Sequence, residues 1–130
     1  MEVRDTEPLE LSIPERLVYS PHVYGPDVAD QPYFHDTRFP ANMPSVWDAH
    51  FGFVQRQRLG PVVVGEWGGQ YRTDADRAWQ GAFAEYLQTQ SIDAIYWCVD
   101  PNSGDTEGLL EAGWTTPRHN KLRLLAVFTG

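Results

Sequence analysis

The chain has 130 residues, 42% hydrophobic and 22% charged, with 18 acidic side chains against 10 basic ones and a formal net charge of −8. That composition excludes a disordered tail, and the charge argues against a nucleic-acid or anionic-membrane ligand, each of which needs a basic face. The single Cys98 excludes an intrachain disulfide and any Cys-based zinc or iron–sulfur site within one chain.

Residues 1–15 read as an acidic, irregular lead-in carrying Pro8 and Pro14, with Leu9 to Ile13 alternating like a short strand. The segment lacks the basic and apolar regions of a secretory signal, and no apolar run in the chain reaches the roughly 18–20 residues of a membrane span. Residues 16–130 form the folded domain. Arg16 to Ser20 is the first clear strand, ended by Pro21, and residues 21–41 follow as a long loop of the kind that usually carries function. A helix comes next, with Asn42 as N-cap, Pro44 in its first turn, and Met43, Val46, Trp47, Phe51 and Val54 at near-helical spacing. Gly60 and Pro61 stop it.

Val62 to Glu66 is the second strand, and its unbroken β-branched run implies a parallel sheet. After Gly68-Gly69, Asp74 or Asp76 caps a second helix with Trp79, Phe83, Tyr86 and Leu87 on one side. Ile92 to Cys98 is the third strand. A loop runs to Thr115, and Thr116 then caps a last helix with Pro117 at its first position and Leu122, Leu124 and Leu125 as the buried stripe.

Strand alternating with helix implies an α/β fold of three to four parallel βα units with right-handed crossovers. All helices then lie on one face of the sheet. The other face is left bare, with Val18, Val62, Val64 and Ile95 upon it. Three or four strands cannot cover that face alone, so apolar burial predicts self-association into a homodimer or higher homo-oligomer.

Three strand ends collect the candidate site residues. His22 and Tyr24 follow the first strand, Glu66 ends the second and Trp97 ends the third. Period-2 alternation places Glu66 with Val64 and Val62 on the bare side, His22 with Ser20 and Val18, and Trp97 with Ile95. A carboxylate, an imidazole and an indole thus meet at one mouth, and an indole face beside a carboxylate suits a sugar ring. Each also has a plainer reading: Glu66 as a solvated strand end, His22 as a structural hydrogen-bonder, Trp97 as core. The turn residues flanking Glu66 favour the first reading over the second. Cys98 reads as a small buried hydrophobe. His35, His50 and His119 have no metal-ligand spacing, and the Asp100–Asp105 loop lacks the bidentate Glu of a calcium loop. No metal and no cofactor is expected.

Four segments carry a family resemblance. Leu17-Val-Tyr-Ser-Pro-His-Val-Tyr-Gly-Pro26, Phe39-Pro-Ala-Asn-Met-Pro44, Val62-Val-Val-Gly-Glu-Trp-Gly-Gly69 and Tyr96-Trp-Cys-Val-Asp-Pro-Asn-Ser-Gly-Asp-Thr106 resemble the C-terminal part of glycoside hydrolase family 5 cellulases, the endo-β-1,4-glucanases. The resemblance covers nearly all of residues 16–116. It implies a (β/α)8 barrel that hydrolyses β-1,4-glucan with retention, with Glu66 as nucleophile, His22 and Tyr24 as substrate-binding residues after the sixth strand, and Trp97 as the sugar-stacking residue. Such a barrel takes about 250 residues, so this chain matches a half TIM barrel beginning in or after the fifth strand. The Asn-Glu-Pro segment that carries the family's acid/base Glu is absent, and Trp67 stands where most relatives have Phe. The family is usually secreted, which the lead-in does not reflect. The expected function is therefore weak cellulase-like hydrolysis of β-glucan or cello-oligosaccharides. Two alternatives stay open: one half of a split cellulase that needs an N-terminal partner chain, or a non-catalytic carbohydrate-binding fragment.

Overall fold

The computed structural model describes residues 11–129. Three parallel strands form an open sheet in the order β1 (His22–Tyr24), β2 (Val63–Gly68), β3 (Asp93–Tyr96). The helices are α1 (Met43–Trp47), α2 (Phe53–Arg56), α3 (Asp74–Gln90) and α4 (His119–Leu125). Of the expected lead-in strand, Leu9 and Glu10 lie outside the described residues, and Leu11 to Ile13 are exposed and not in a strand.

The first strand lies later than the sequence suggests. Pro14–Arg16 is a 3-10 turn, Tyr19 makes one isolated parallel bridge to Val62, and the ladder proper runs over His22–Tyr24. Pro21 does not end it. The proline costs the ladder a donor, but its carbonyl still accepts the Gly65 N–H at 3.0 Å. The segment read as loop thus contains β1 and a 3-10 turn at Pro32–His35.

The expected long helix after Asn42 is α1 and α2 joined by a π-helical turn at Asp48–Gly52. A Cβ at Gly52 would stand 2.1 Å from the Tyr86 hydroxyl, so the turn brings bare backbone against α3. Asn42 precedes the helix without capping it. Its Nδ2 instead donates to the Tyr33 carbonyl at 2.8 Å.

Thr73, not Asp74 or Asp76, caps α3, its hydroxyl accepting the Asp76 N–H at 3.1 Å. Trp79, Phe83, Tyr86 and Leu87 are buried as the helical spacing predicts. Phe83 is the hub of the aromatic core: it stacks on Trp79 at 5.2 Å between centroids and meets Trp47 at 4.7 Å and Trp67 at 5.4 Å edge-on.

The last helix begins at His119, not after Thr116, because Leu110 and Pro117 are tied in an antiparallel bridge. Its buried residue is Lys121. Leu122 is exposed, and Leu124 and Leu125 are only partly covered against the core.

One correction bears on the site. Val62 and Val64 do not lie on the bare face: they are buried among the helices. Val18 and Ile95 are exposed, at 49% and 58%. The cause is a bulge in β2. Val64 pairs with Ala94 and Trp67 with Tyr96, so β2 advances three residues while β3 advances two. Strict alternation from Val64 would send Glu66 into the core. The extra residue lets Val64 and Trp67 both face the helices.

Replacing Phe83 by Ala removes the ring that five aromatic neighbours, Trp47, Phe51, Trp67, Trp79 and Tyr86, share. It should lower unfolding free energy by about 3–5 kcal/mol, read from urea denaturation followed by circular dichroism. A loss below about 1 kcal/mol would contradict this packing.

Candidate active site

Glu66 sits on the bulge near the C-terminal end of β2, and its backbone register partner on β1 is His22. Its carboxylate is partly covered, with 26% of the side chain exposed. The Tyr24 hydroxyl donates to Glu66 Oε2 at 2.5 Å, and His22 Nδ1 stands 3.3 Å from the same oxygen. Glu66 Oε1 has no hydrogen bond from any described residue. One oxygen is therefore held by two side chains of β1, and the other is not.

Gly65 makes room for this arrangement. A Cβ there would lie 2.3 Å from Ser20 Oγ and 3.1 Å from His22 Nε2, so a side chain would push the imidazole off the carboxylate. Tyr24 is tuned as a donor. Burial foremost, then the hydrogen bond to Glu66 and its negative charge, push the phenol well above its ordinary value.

Trp97 shares the exposed face with Ile95 and is 39% exposed. Its backbone N–H donates to the Trp67 carbonyl at 2.8 Å, and its own carbonyl would clash at 2.7 Å with any Cβ on Gly68. The Trp97–Cys98 peptide is cis. The structure thus joins His22, Tyr24 and Glu66 directly. Trp97 stands at the same sheet end, and its indole makes no hydrogen bond or ring contact with those three.

The sequence reading missed the residues that hold these strand ends in place. Asp76 is fully buried, and its carboxylate accepts from Gln80 Nε2 at 2.7 Å and the Tyr71 N–H at 2.8 Å. The Tyr96 hydroxyl donates in turn to Gln80 Oε1 at 2.9 Å. Asp27, beyond β1, accepts from the Thr73 hydroxyl at 2.5 Å and from the backbone N–H groups of Arg72 and Thr73. The available signal was the i, i+4 pair Asp76 and Gln80, two polar side chains interrupting the apolar stripe of α3.

A cavity of about 470 Å³ lies beside β1, lined by Tyr19, Val23, Phe34, Met43, Trp47 and Trp79 among others. His22 and Tyr24 also border it, but Glu66 does not, so the carboxylate opens to the uncovered face. Among the described residues no group of His, Cys, Asp or Glu is arranged to hold a metal ion. No helix among them is long and apolar enough to cross a membrane.

Comparison with known proteins gives a consistent result. A model of the cellulase family, glycosyl hydrolase family 5, matches residues 2–103. The chain is 47% identical over 124 residues to the major extracellular endoglucanase of Xanthomonas campestris, covering 92% of this chain and 25% of that protein. It is 43% identical over 120 residues to an endoglucanase of Paenibacillus polymyxa, covering 91% of this chain and 30% of that one. Among solved structures, the catalytic domain of the Xanthomonas endoglucanase superposes with a TM-score of 0.82 at 45% identity, over 88% of this chain and 34% of that one. An endocellulase of Pyrococcus horikoshii in complex with cellotetraose superposes with a TM-score of 0.85 at 41% identity, over 92% and 33%. The chain therefore spans about a third or less of the length of these relatives.

The Tyr24–Glu66 bond has a measurable signature. A neutral phenol favoured in the folded state adds stability below the unfolded value of about 10, and that stability is lost at higher pH as the unfolded chain sheds its proton first. The 295 nm absorbance titration of the wild type minus that of Tyr24→Phe isolates this phenol. Its ionisation should appear well above pH 10, and an onset at or below that value would show that the hydroxyl does not donate to Glu66.

Proposed function

The chain belongs to glycosyl hydrolase family 5, the cellulase family, and from that premise we propose that its site cleaves β-1,4-glucosidic bonds of glucan by the retaining route, with Glu66 as nucleophile. The family's fold is a TIM barrel, and this open parallel sheet corresponds to about a third of such a chain. Sites in that architecture form at the C-terminal ends of the strands, where Glu66, Tyr24 and Trp97 are found.

The observation that carries the proposal is the asymmetry of the Glu66 carboxylate. Tyr24 and His22 fix Oε2, which leaves Oε1 without a hydrogen bond from any described residue. In the first step Oε1 attacks the anomeric carbon, and the bond from that carbon to the leaving oxygen breaks. In the second step water attacks the glycosyl ester and frees Glu66. Tyr24 stays protonated throughout and holds the carboxylate in orientation. His22 borders the same oxygen, and its half-exposed ring is open to contact with the sugar. The indole of Trp97 offers a face for the ring's C–H groups.

Retention needs a second carboxyl about 5–5.5 Å away to protonate the leaving oxygen and later to activate water. The side chains that reach Glu66 among the described residues are Tyr24 and His22, and neither is a carboxylic acid. We place the acid/base group outside these 130 residues, on a segment that completes the barrel. The free edge of β1 is suited to receive it. Tyr19, Pro21 and Gly25 direct their backbone groups to β2, so by the alternation of a parallel ladder Ser20, His22 and Tyr24 direct theirs outward. Completion by a second copy of the chain is the self-associating form of the same proposal, driven by the exposed Val18, Ile95, Trp97 and Val99. The reading as a binding fragment keeps Trp97 and loses the chemistry.

These forms separate on the bench. An activated aryl β-cellobioside needs little help at its leaving group, so the chain should hydrolyse it slowly, and Glu66→Gln should lower that rate by about 10³-fold or more. Equal rates in the two proteins would remove Glu66 from the chemistry, and cello-oligosaccharide binding without turnover would leave the binding fragment. Adding a polypeptide with the family's first five strands should raise the rate on cello-oligosaccharide, whose leaving oxygen must be protonated, by about 10²–10⁴-fold, the usual worth of general acid–base help. Light scattering that finds only the monomer would eliminate completion by a second copy.

A further inference from the structure

Among the described residues Lys121 is the fully buried cation. It lies on α4 with 0% exposure, and its Nζ donates to three backbone carbonyls: Gly69 at 3.0 Å, Thr106 at 2.5 Å and Gly108 at 3.0 Å. Three acceptors match the three protons of an ammonium. The carbonyls come from two different strand exits. Gly69 lies three residues past Glu66, in the turn that leaves β2, whereas Thr106 and Gly108 lie in the loop that leaves β3 behind Trp97.

The β3 loop is bent to present its carbonyls to the ammonium. Glu107 and Gly108 have φ of 60° and 59°, and a Cβ on Gly108 would stand 2.1 Å from the Asp100 carbonyl oxygen. A non-glycine residue held at positive φ is costly unless its surroundings impose it, and here Lys121 contacts the carbonyl on either side of Glu107. The same two exits touch nearer the site, where the Trp97 carbonyl approaches the bare Cα of Gly68.

We infer that Lys121 is a positioning residue of the active site: its ammonium clamps the turn behind Glu66 to the loop behind Trp97 and so sets where the indole stands relative to the carboxylate. The inference rests on the reading above only in taking Glu66 and Trp97 as the working groups.

The clamp needs the charged form, because a neutral amine has two N–H groups for three carbonyls. Burial foremost, and then the neighbouring Arg118, push Lys121 down to about 8, while Glu107, Asp76 and Cys98 pull the other way. The Tyr96 ring faces Nζ at 6.0 Å, and its own phenol is pushed up by burial. The clamp is thus closed below about pH 8 and opens as pH rises through that value. Stability runs in the opposite sense. The unfolded lysine keeps its proton to about 10.4, so Lys121 lends stability with rising pH between about 8 and 10.4. Loosening of the indole cannot then be mistaken for unfolding.

The test reads position directly. In the full chain carrying Cys98→Ala, which removes the adjacent thiol as a source of shift, the ¹⁵N-indole resonance of Trp97 is assigned by Trp97→Phe and followed from pH 6.5 to 9.5. The resonance should titrate with a midpoint near 8. Adding Lys121→Met should displace it and abolish the titration. A Trp97 resonance that does not move with pH overturns the inference, as does a folded Lys121→Met protein whose Trp97 resonance and titration match the parent's. Where Lys121→Met fails to fold, the titration of the parent decides alone. The measurement needs neither sugar nor turnover, so its failure is distinct from failure of the glycosidase reading, which turns on Glu66→Gln.

Discussion

The buried carboxylate of Asp76 is the group on which the arrangement of this site rests. It lies at the first turn of α3 with no exposed surface, and burial pushes its pKa upward. A carboxylate in that position is costly unless it is hydrogen-bonded. It draws its donors from the exits of two strands: the Asp27 N–H beyond β1 and the Tyr71 N–H beyond β2, with Gln80 closing the set from its own helix. Removing the carboxylate would strand these donors, so the interaction is one-sided in effect: modest when made and expensive when broken. The glycines nearby follow from the same constraint. A Cβ on Gly25 would lie 2.2 Å from Asp76 Oδ1, and one on Gly69 would lie 2.4 Å from Oδ2. The loops behind Tyr24 and Glu66 therefore close onto α3 because they are bare there, and Gln80 extends the hold to β3 through Tyr96.

That anchorage explains how a three-stranded sheet can order a site at one end. Among the described residues this small sheet has two unpaired edges and one face that no helix covers, and strand pairing alone gives its C-terminal ends little restraint. Asp76 and Lys121 act there from the helical side, one under the exits of β1 and β2, the other under the exits of β2 and β3. The aromatic core around Phe83 holds the middle of the same sheet through Trp67. Packing fixes the layer, and buried polar contacts fix the rim.

Much of the architecture was legible in the residues. The β-branched run before Glu66 signals a parallel strand, the Trp79–Phe83–Tyr86–Leu87 stripe signals its covering helix, and the alternation of the two element types signals the α/β class. What escaped was where a local rule is overridden by tertiary contact. Pro21 reads as a strand end, yet its carbonyl remains useful to the ladder. Thr116 followed by Pro117 reads as a helix start, yet that pair belongs to a bridged loop. Lys121 carries no signal in the sequence, yet it is the residue α4 buries. For Pro21 and Lys121 the deciding partner is distant in sequence, Gly65 and Gly69, and for Pro117 it is Leu110, across a loop rather than along a helix.

The bulge shows most clearly why position had to come from structure. Counting by twos from Val62 gives a consistent face for Val62, Val64 and Glu66, and the valines are in fact buried on the opposite side from the carboxylate. The two requirements on β2 conflict: Val64 and Trp67 must both reach the aromatic core, and Glu66 must reach Tyr24 and His22. A regular strand cannot satisfy residues 64, 66 and 67 together, since 64 and 67 differ in parity. One unpaired residue resolves the conflict, and Gly65, which leaves room for Ser20 and His22, makes that irregularity sterically possible. The carboxylate is thus turned outward by the demands of the core beneath it, so a substitution at Trp67 or Val64, well inside the protein, acts on the geometry of the Glu66–Tyr24 pair.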